Sequence, residues 1–168
     1  MKGKSEWKKG TQFVAVIALV TIVFYFGIVL NVIGVQPFEQ FTAYSASLAL
    51  NALGQHTTVY AGFEPVQVLV GESHIELSEL CTGMLETILL AVAIFATFEI
   101  SRKKRTIGIV VGVIAAQAFN VLRVIGSVMN IVSTNQGFAE LTHDVLFRIS
   151  LLIVIAGFYY IWLRWALK

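Results

Sequence analysis

Residues 106–129 read TIGIVVGVIAAQAFNVLRVIGSVM, an apolar block with no acidic residue and a single cation, Arg123. A helix crosses a bilayer with roughly 17–25 predominantly apolar residues, so this stretch reads as a transmembrane helix. It begins directly after Arg102, Lys103, Lys104 and Arg105, the kind of basic cluster that marks the cytoplasmic end of a span. Working outward, three further apolar blocks match the same template, at 13–33, 82–98 and 146–163, with 82–98 at the short end. The composition agrees. Of 168 residues, 57% are hydrophobic, with a mean hydropathy of +0.80. The apolar residues come in long blocks, a pattern of membrane spans rather than of a soluble core. The expected fold is an all-α integral membrane protein of about four spans, forming one membrane-embedded domain over 1–168. The first block is too long for a signal-peptide core and lacks a small-residue cleavage site at a sensible distance, so it reads as a span.

Charge placement gives an orientation. Lys2, Lys4, Lys8 and Lys9 precede the first span, the cluster 102–105 joins the second to the third, and Arg164 and Lys168 end the fourth. Residues 31–80 hold no Lys or Arg but carry Glu39, Glu64, Glu72, Glu76 and Glu79. With four spans every basic cluster falls on one side, so the reading is a multi-pass plasma-membrane protein with both termini cytoplasmic and an outer cap at 37–80. Within that cap, 37–54 reads as an interfacial helix on the outer surface, with Phe38, Phe41, Leu48, Ala49 and Ala52 on a loosely apolar face. A fifth span there would carry the acidic stretch inside, against the charge bias. The β-branched runs of 57–77, broken by Gly62, Pro65 and Gly71, predict a small outer hairpin or extended cap.

Three polar residues from different spans reach one depth. Cys81, the single cysteine, opens the second span at the outer side. Arg123 lies 17 residues after Thr106, roughly 26 Å across at ~1.5 Å per residue. His143 opens the fourth span, again outside. A cysteine beside positive charge and a helix N-terminus is a nucleophile, a histidine is a general base and acid, and an arginine stabilises an oxyanion. Each also has a plainer reading: Cys81 as a small apolar filler, Arg123 as a snorkelling cation, His143 as part of an ordinary helix start. Their shared depth brings the chemical reading level with the plainer ones. Asn120 shares a helix face with Arg123 and either orients it, orients a substrate carbonyl, or bonds helix to helix. Glu86 lies off the Cys81 face and either pairs with Arg123 or Arg148 or binds interfacial water. His56 and His74 fall in the cap and read as solvated. No zinc-type spacing, phosphate-binding glycine loop or GxSxG is present, so no metal or cofactor is expected. The loop 102–105 reads as a topology signal, not a nucleic-acid site.

At these residues the sequence resembles the exosortase/archaeosortase family of membrane cysteine transpeptidases. The carriers are Glu79-Leu80-Cys81-Thr82-Gly83 at a span start, Asn120-Val121-Leu122-Arg123 near the end of the next, and His143 at the start of the last. The family pattern is a Cys-(Ser/Thr)-Gly motif, an N-x-x-R motif and a later His or Arg, here over roughly residues 36–157. The resemblance implies Cys81, Arg123 and His143 as catalytic, with Thr82, Gly83, Asn120, Glu86 and Arg148 in support. Arg148, one turn deeper than His143, is the alternative third catalytic position, since some relatives use arginine there. The resemblance further implies a thiol protease and transpeptidase that cleaves C-terminal sorting signals of secreted or surface proteins. Such a signal is a motif, a hydrophobic helix and a basic tail. The acyl group would pass through a Cys thioester to a cell-envelope acceptor, expected to be a lipid. Many members carry further N-terminal spans, so this chain resembles the catalytic core.

Two rival classes remain at this stage. One is a non-catalytic membrane subunit that binds transmembrane tails of partner proteins. The other is a small transporter half, disfavoured because no charged residue falls near mid-bilayer.

Overall fold

The computed structural model describes the backbone of residues 2–29, 34–133 and 147–168. The chain is mostly helical, with one small sheet. Its helices are α1 (Lys2–Val29), α2 (Gln36–Ala52), α3 (Met84–Phe95), α4 (Arg102–Ser133) and α5 (Phe147–Ala166). Strands β1 (Thr57–Tyr60), β2 (Val66–Val70) and β3 (Ser73–Leu77) lie between α2 and α3. A 3-10 turn, Glu79–Cys81, follows them.

Two of these helices, over Arg102–Val132 and Ile149–Ala166, are long and apolar enough to cross a membrane. The expected first and second spans correspond to shorter apolar helical segments, Gly10–Phe24 and Met84–Phe95. The 82–98 block departs most from expectation. Its helix begins only at Met84 and ends at Phe95. The start is delayed because Gly83 adopts a left-handed φ of 62°, a conformation that breaks a right-handed helix and that glycine takes without cost. The Thr82 hydroxyl then accepts from the Met84 N–H (3.2 Å) and caps the new helix.

The chain forms two compact units. The first comprises Met1–Gly34, Leu85–Ile114 and Ile155–Lys168. Small residues let its helices meet. Gly108 faces the Trp162 indole so closely that a Cβ there would lie 2.0 Å from Nε1, and that N–H donates to the Lys104 carbonyl (3.2 Å). Gly112 meets Phe158 and Leu90 in the same way. The basic residues 102–105, expected to join two spans as a loop, form the first turn of α4, and two of them bond to other helices. Lys104 donates to the Ala166 carbonyl at the end of α5 (2.9 Å), and Arg105 to the Phe95 carbonyl at the end of α3 (3.0 Å). Cations so placed satisfy orphan carbonyls and oppose the negative helix terminus.

The second unit comprises Val35–Met84 and Ala115–Val154. The expected cap is here as a three-stranded antiparallel sheet in the order β1-β2-β3. Alternation sends Val66, Val68 and Val70 to one face with Ile75 and Leu77, and leaves His74 and Glu76 exposed on the other. His56 is exposed too. The apolar face packs against α2, which has Pro37 in its first turn. α2 is inverted relative to a water-facing helix. Its inner side carries Glu39, Thr42, Ala43, Ala46, Ser47 and Leu50, while Phe38, Phe41, Tyr44 and Leu48 are exposed. The small alanines admit the sheet, and the sheet supplies partners: Glu39 accepts from the Val66 N–H (3.4 Å), and Ser47 bonds the Thr57 hydroxyl. The core closes with Cys81 and with Val124 and Val128 of α4.

Candidate active site

The site is built where the sheet hands the chain to α3. From Ser78 onward the backbone winds into its own 3-10 turn. Cys81 N–H donates to the Ser78 carbonyl (2.8 Å) and Thr82 N–H to the Glu79 carbonyl (3.2 Å). The Thr82 hydroxyl reinforces the same Glu79 carbonyl at 2.6 Å. Cys81 is the last residue of that turn and is buried, with its Sγ 3.9 Å from the Ser78 hydroxyl.

Helix α4 supplies the other wall. Asn120 is fully buried, and its Nδ2 donates to the Cys81 carbonyl at 3.0 Å. Gln117, one turn earlier, donates from Nε2 to the Thr82 carbonyl at 3.4 Å. Arg123, one turn later, is 8% exposed, and Ser127 donates back to the Arg123 carbonyl (3.0 Å). Residues 117, 120 and 123 form a single stripe, since a spacing of three keeps side chains on neighbouring positions of one face. Val124, next to Arg123, lies in the same core as the Cys81 side chain. Gly83 fits because it lacks a side chain: a Cβ there would stand 2.7 Å from Asn120 Cγ.

Of the residues singled out by sequence, Cys81, Thr82, Gly83, Asn120 and Arg123 come together in the second unit. Asn120 spends its amide donor on the cysteine's own carbonyl, while its Oδ1 is buried with no hydrogen-bond partner among the described residues. Glu86 is a half-buried residue in the first turn of α3 and belongs to the first unit. His143 and the Arg148 side chain lie outside the described residues.

Sequence reasoning passed over two groups. Gln117 gave no sign beyond being an amide within an apolar block. Glu39 read only as one of the acidic residues of 31–80, yet it is buried. Burial pushes its carboxyl above the ordinary value of 4.5, the Val66 N–H partly opposes this, and the Glu64 and Glu79 carboxylates add to it. Thr42, 1% exposed and one turn on, has an Oγ1 with no partner among the described residues.

No curated protein and no solved structure gives a significant match to the chain. A family model described as transmembrane exosortase matches residues 5–157. That match takes in α1 to α4, the cap and the first part of α5. The chain therefore belongs to the transmembrane exosortase family.

Proposed function

We propose that this protein is a membrane cysteine transpeptidase with Cys81 as its nucleophile. The observation that carries the reading is the seating of Cys81. Its carbonyl is bonded by Asn120, and its side chain shares a core with the neighbour of Arg123. In the reaction, the Cys81 thiolate attacks the scissile carbonyl and its π electrons move onto oxygen. Arg123 holds that oxyanion. His143, having taken the thiol proton, returns it to the departing amine as the C–N bond breaks. The thioester left on Cys81 is attacked by an acceptor nucleophile, whose proton His143 removes, and the thiolate is expelled. Arg148 takes the third position if His143 does not.

The substrates are secreted or surface proteins with a C-terminal sorting signal, and the acceptor is a cell-envelope lipid. The protein crosses the plasma membrane about four times as one catalytic domain over 1–168. Both termini are cytoplasmic and Cys81 is at the outer face. Supporting this, the basic residues of α4 precede its apolar run, and Arg123 lies 21 residues after Arg102, roughly 32 Å along the helix at ~1.5 Å per residue. That distance is comparable with the roughly 30 Å hydrocarbon thickness.

The deciding experiment incubates the protein in native membranes with a tagged secreted protein bearing a sorting signal, then maps adducts by mass spectrometry. A hydroxylamine-sensitive acyl adduct on Cys81 is expected. Substrate that binds with no adduct, and is processed equally by Cys81→Ala, would leave the tail-binding subunit as the better account. Orientation is read separately: a membrane-impermeant thiol reagent should reach a Cys introduced at Lys103 only after permeabilisation.

A further inference from the structure

The turn that carries Cys81 is laced internally, by Cys81 N–H to Ser78, Thr82 N–H and hydroxyl to Glu79, and Met84 N–H to the Thr82 hydroxyl. Those bonds fix its shape. They do not fix where it sits against α4. That second task falls to two amides three residues apart, Gln117 and Asn120, which take the consecutive carbonyls of Thr82 and Cys81. Consecutive carbonyls on neighbouring positions of one helix face define both the height and the rotation of the turn. Arg123 follows Asn120 by three residues on the same helix, so whatever fixes the turn to 117 and 120 also fixes the height of Cys81 along α4 relative to residue 123.

We propose that Gln117 and Asn120 are positioning residues that clamp the cysteine turn to α4 in register with Arg123, and that Gly83 is the glycine that lets the clamp close. Gly83 has two independent reasons to be glycine here: its φ of +62° and the absence of room beside Asn120, with Cγ 2.7 Å and Oδ1 2.9 Å from a would-be Cβ. The Asn120 donor is buried, so its bond is not exchanged with bulk water, and its orientation is dictated by the Cys81 carbonyl. A misplacement of about 1 Å at a reacting group costs on the order of 10²-fold in rate, so a clamp of this kind acts on catalysis without touching substrate. This inference rests on the proposed reading of Cys81 and Arg123.

The chain has one cysteine, so ¹³Cβ-cysteine labelling gives a single resonance whose pH titration reports the Sγ environment directly, with no need for a reagent to enter the site. The full-length protein in lipid nanodiscs is titrated as parent, Arg123→Ala, Asn120→Ala, Gln117→Ala, Gly83→Ala and Gly83→Ala/Asn120→Ala. Arg123→Ala calibrates the effect of losing the guanidinium. Asn120→Ala and Gln117→Ala are expected to move the midpoint in the same direction as Arg123→Ala while keeping α-helical content. Gly83→Ala should do the same, and once Asn120 is Ala it should keep only the part of its effect that comes from the positive φ and the Cβ of residue 120. Gln117 is only half-buried, so its variant keeps the test alive if Asn120→Ala does not fold. The clamp is overturned if folded Gln117→Ala and Asn120→Ala titrate with the parent while Arg123→Ala does not. It is equally overturned if Arg123→Ala leaves the midpoint unmoved, since Sγ is then not in register with the guanidinium. The nucleophile itself stands or falls separately, on the acyl adduct.

Discussion

The two units bury different things. In the first, the buried described residues are Thr87, Leu90, Ile94, Ala96, Ile100, Gly108, Gly112, Trp162 and Ala166, and Thr87 is the one buried polar residue among them. In the second, Glu39, Thr42, Ser47, Thr82, Asn120, Arg123 and Ser127 are all buried. Burying a polar group costs free energy unless it finds partners. A unit that buries seven such residues holds them for a reason other than economy of packing. The proposed function puts the chemistry in the second unit and leaves packing to the first, and that contrast can be broken.

The largest effect is expected at Cys81. Cys81→Ala should abolish processing while leaving the protein inserted and folded, because it removes one sulfur from a core otherwise made of Val, Leu, Ile and Ala side chains. Turnover of a sorting-signal substrate by a folded Cys81→Ala protein would end the division between the units. Cys81→Ser should be nearly as inactive, since a hydroxyl without a matched strong base is a far poorer nucleophile.

Next come the two groups assigned to charge. Arg123→Lys keeps a cation but loses the planar fork of donors. Single-turnover acylation should slow by about 10²–10³-fold if the fork is a main oxyanion donor, with substrate binding little changed. His143→Ala should remove the histidine limb from the pH–rate profile, whereas Arg148→Gln should be mild. If Arg148→Gln is the more damaged and His143→Ala keeps the parent profile, the third catalytic position belongs to Arg148.

A substitution in the first unit sharpens the contrast from the other side. Gly108→Ala drives a methyl into the Trp162 indole. Overpacking of this kind costs about 1–3 kcal/mol, so thermal unfolding should come earlier while the folded fraction turns over at the parent rate. A fall in kcat without a fall in Tm would mean that the first unit takes part in the chemistry.

The smallest effect concerns Glu39. Its folded-state pKa is raised, chiefly by burial, so the folded protein holds the proton more tightly than the unfolded chain. The stabilisation this gives is complete below the ordinary value of 4.5 and is lost as pH rises through the folded value. Glu39→Gln, which imitates the protonated carboxyl, should therefore raise Tm at pH 7 and leave it near the parent at pH 4. An equal shift at both pH values would show that packing, not ionisation, sets the cost.

Much of this was legible because the decisive signals are local. The run before Asn120, the basic cluster at 102–105 and the β-branched runs of 57–77 each announce an element within a few residues. The site was legible in part, because Cys81, Asn120 and Arg123 are rare residue types in apolar surroundings. What could not be read depends on distant partners. Nothing near Gln117 says that it will meet a carbonyl 35 positions away. Positive charge at Lys104 and Arg105 gives an expected orientation, not which helix end each one caps. The helix boundary at Met84 rather than Thr82 turns on one glycine torsion, which the Gly83 residue type permits but does not dictate.

Helix α2 has a consequence for how the protein is made. To machinery that scans a chain as it is threaded into the membrane, 36–52 is an unremarkable sequence, its hydrophobic residues interrupted by a carboxylate, amides and hydroxyls. The linear spacing announces only a loosely apolar face. The sheet sharpens it by covering Glu39, Thr42 and Ser47, which leaves Phe38, Phe41, Tyr44 and Leu48, the last 76% exposed, on the outside. On the proposed topology the segment is polar enough to be passed across as an emerging chain, and it presents its full apolar face only once α2 has packed on the sheet.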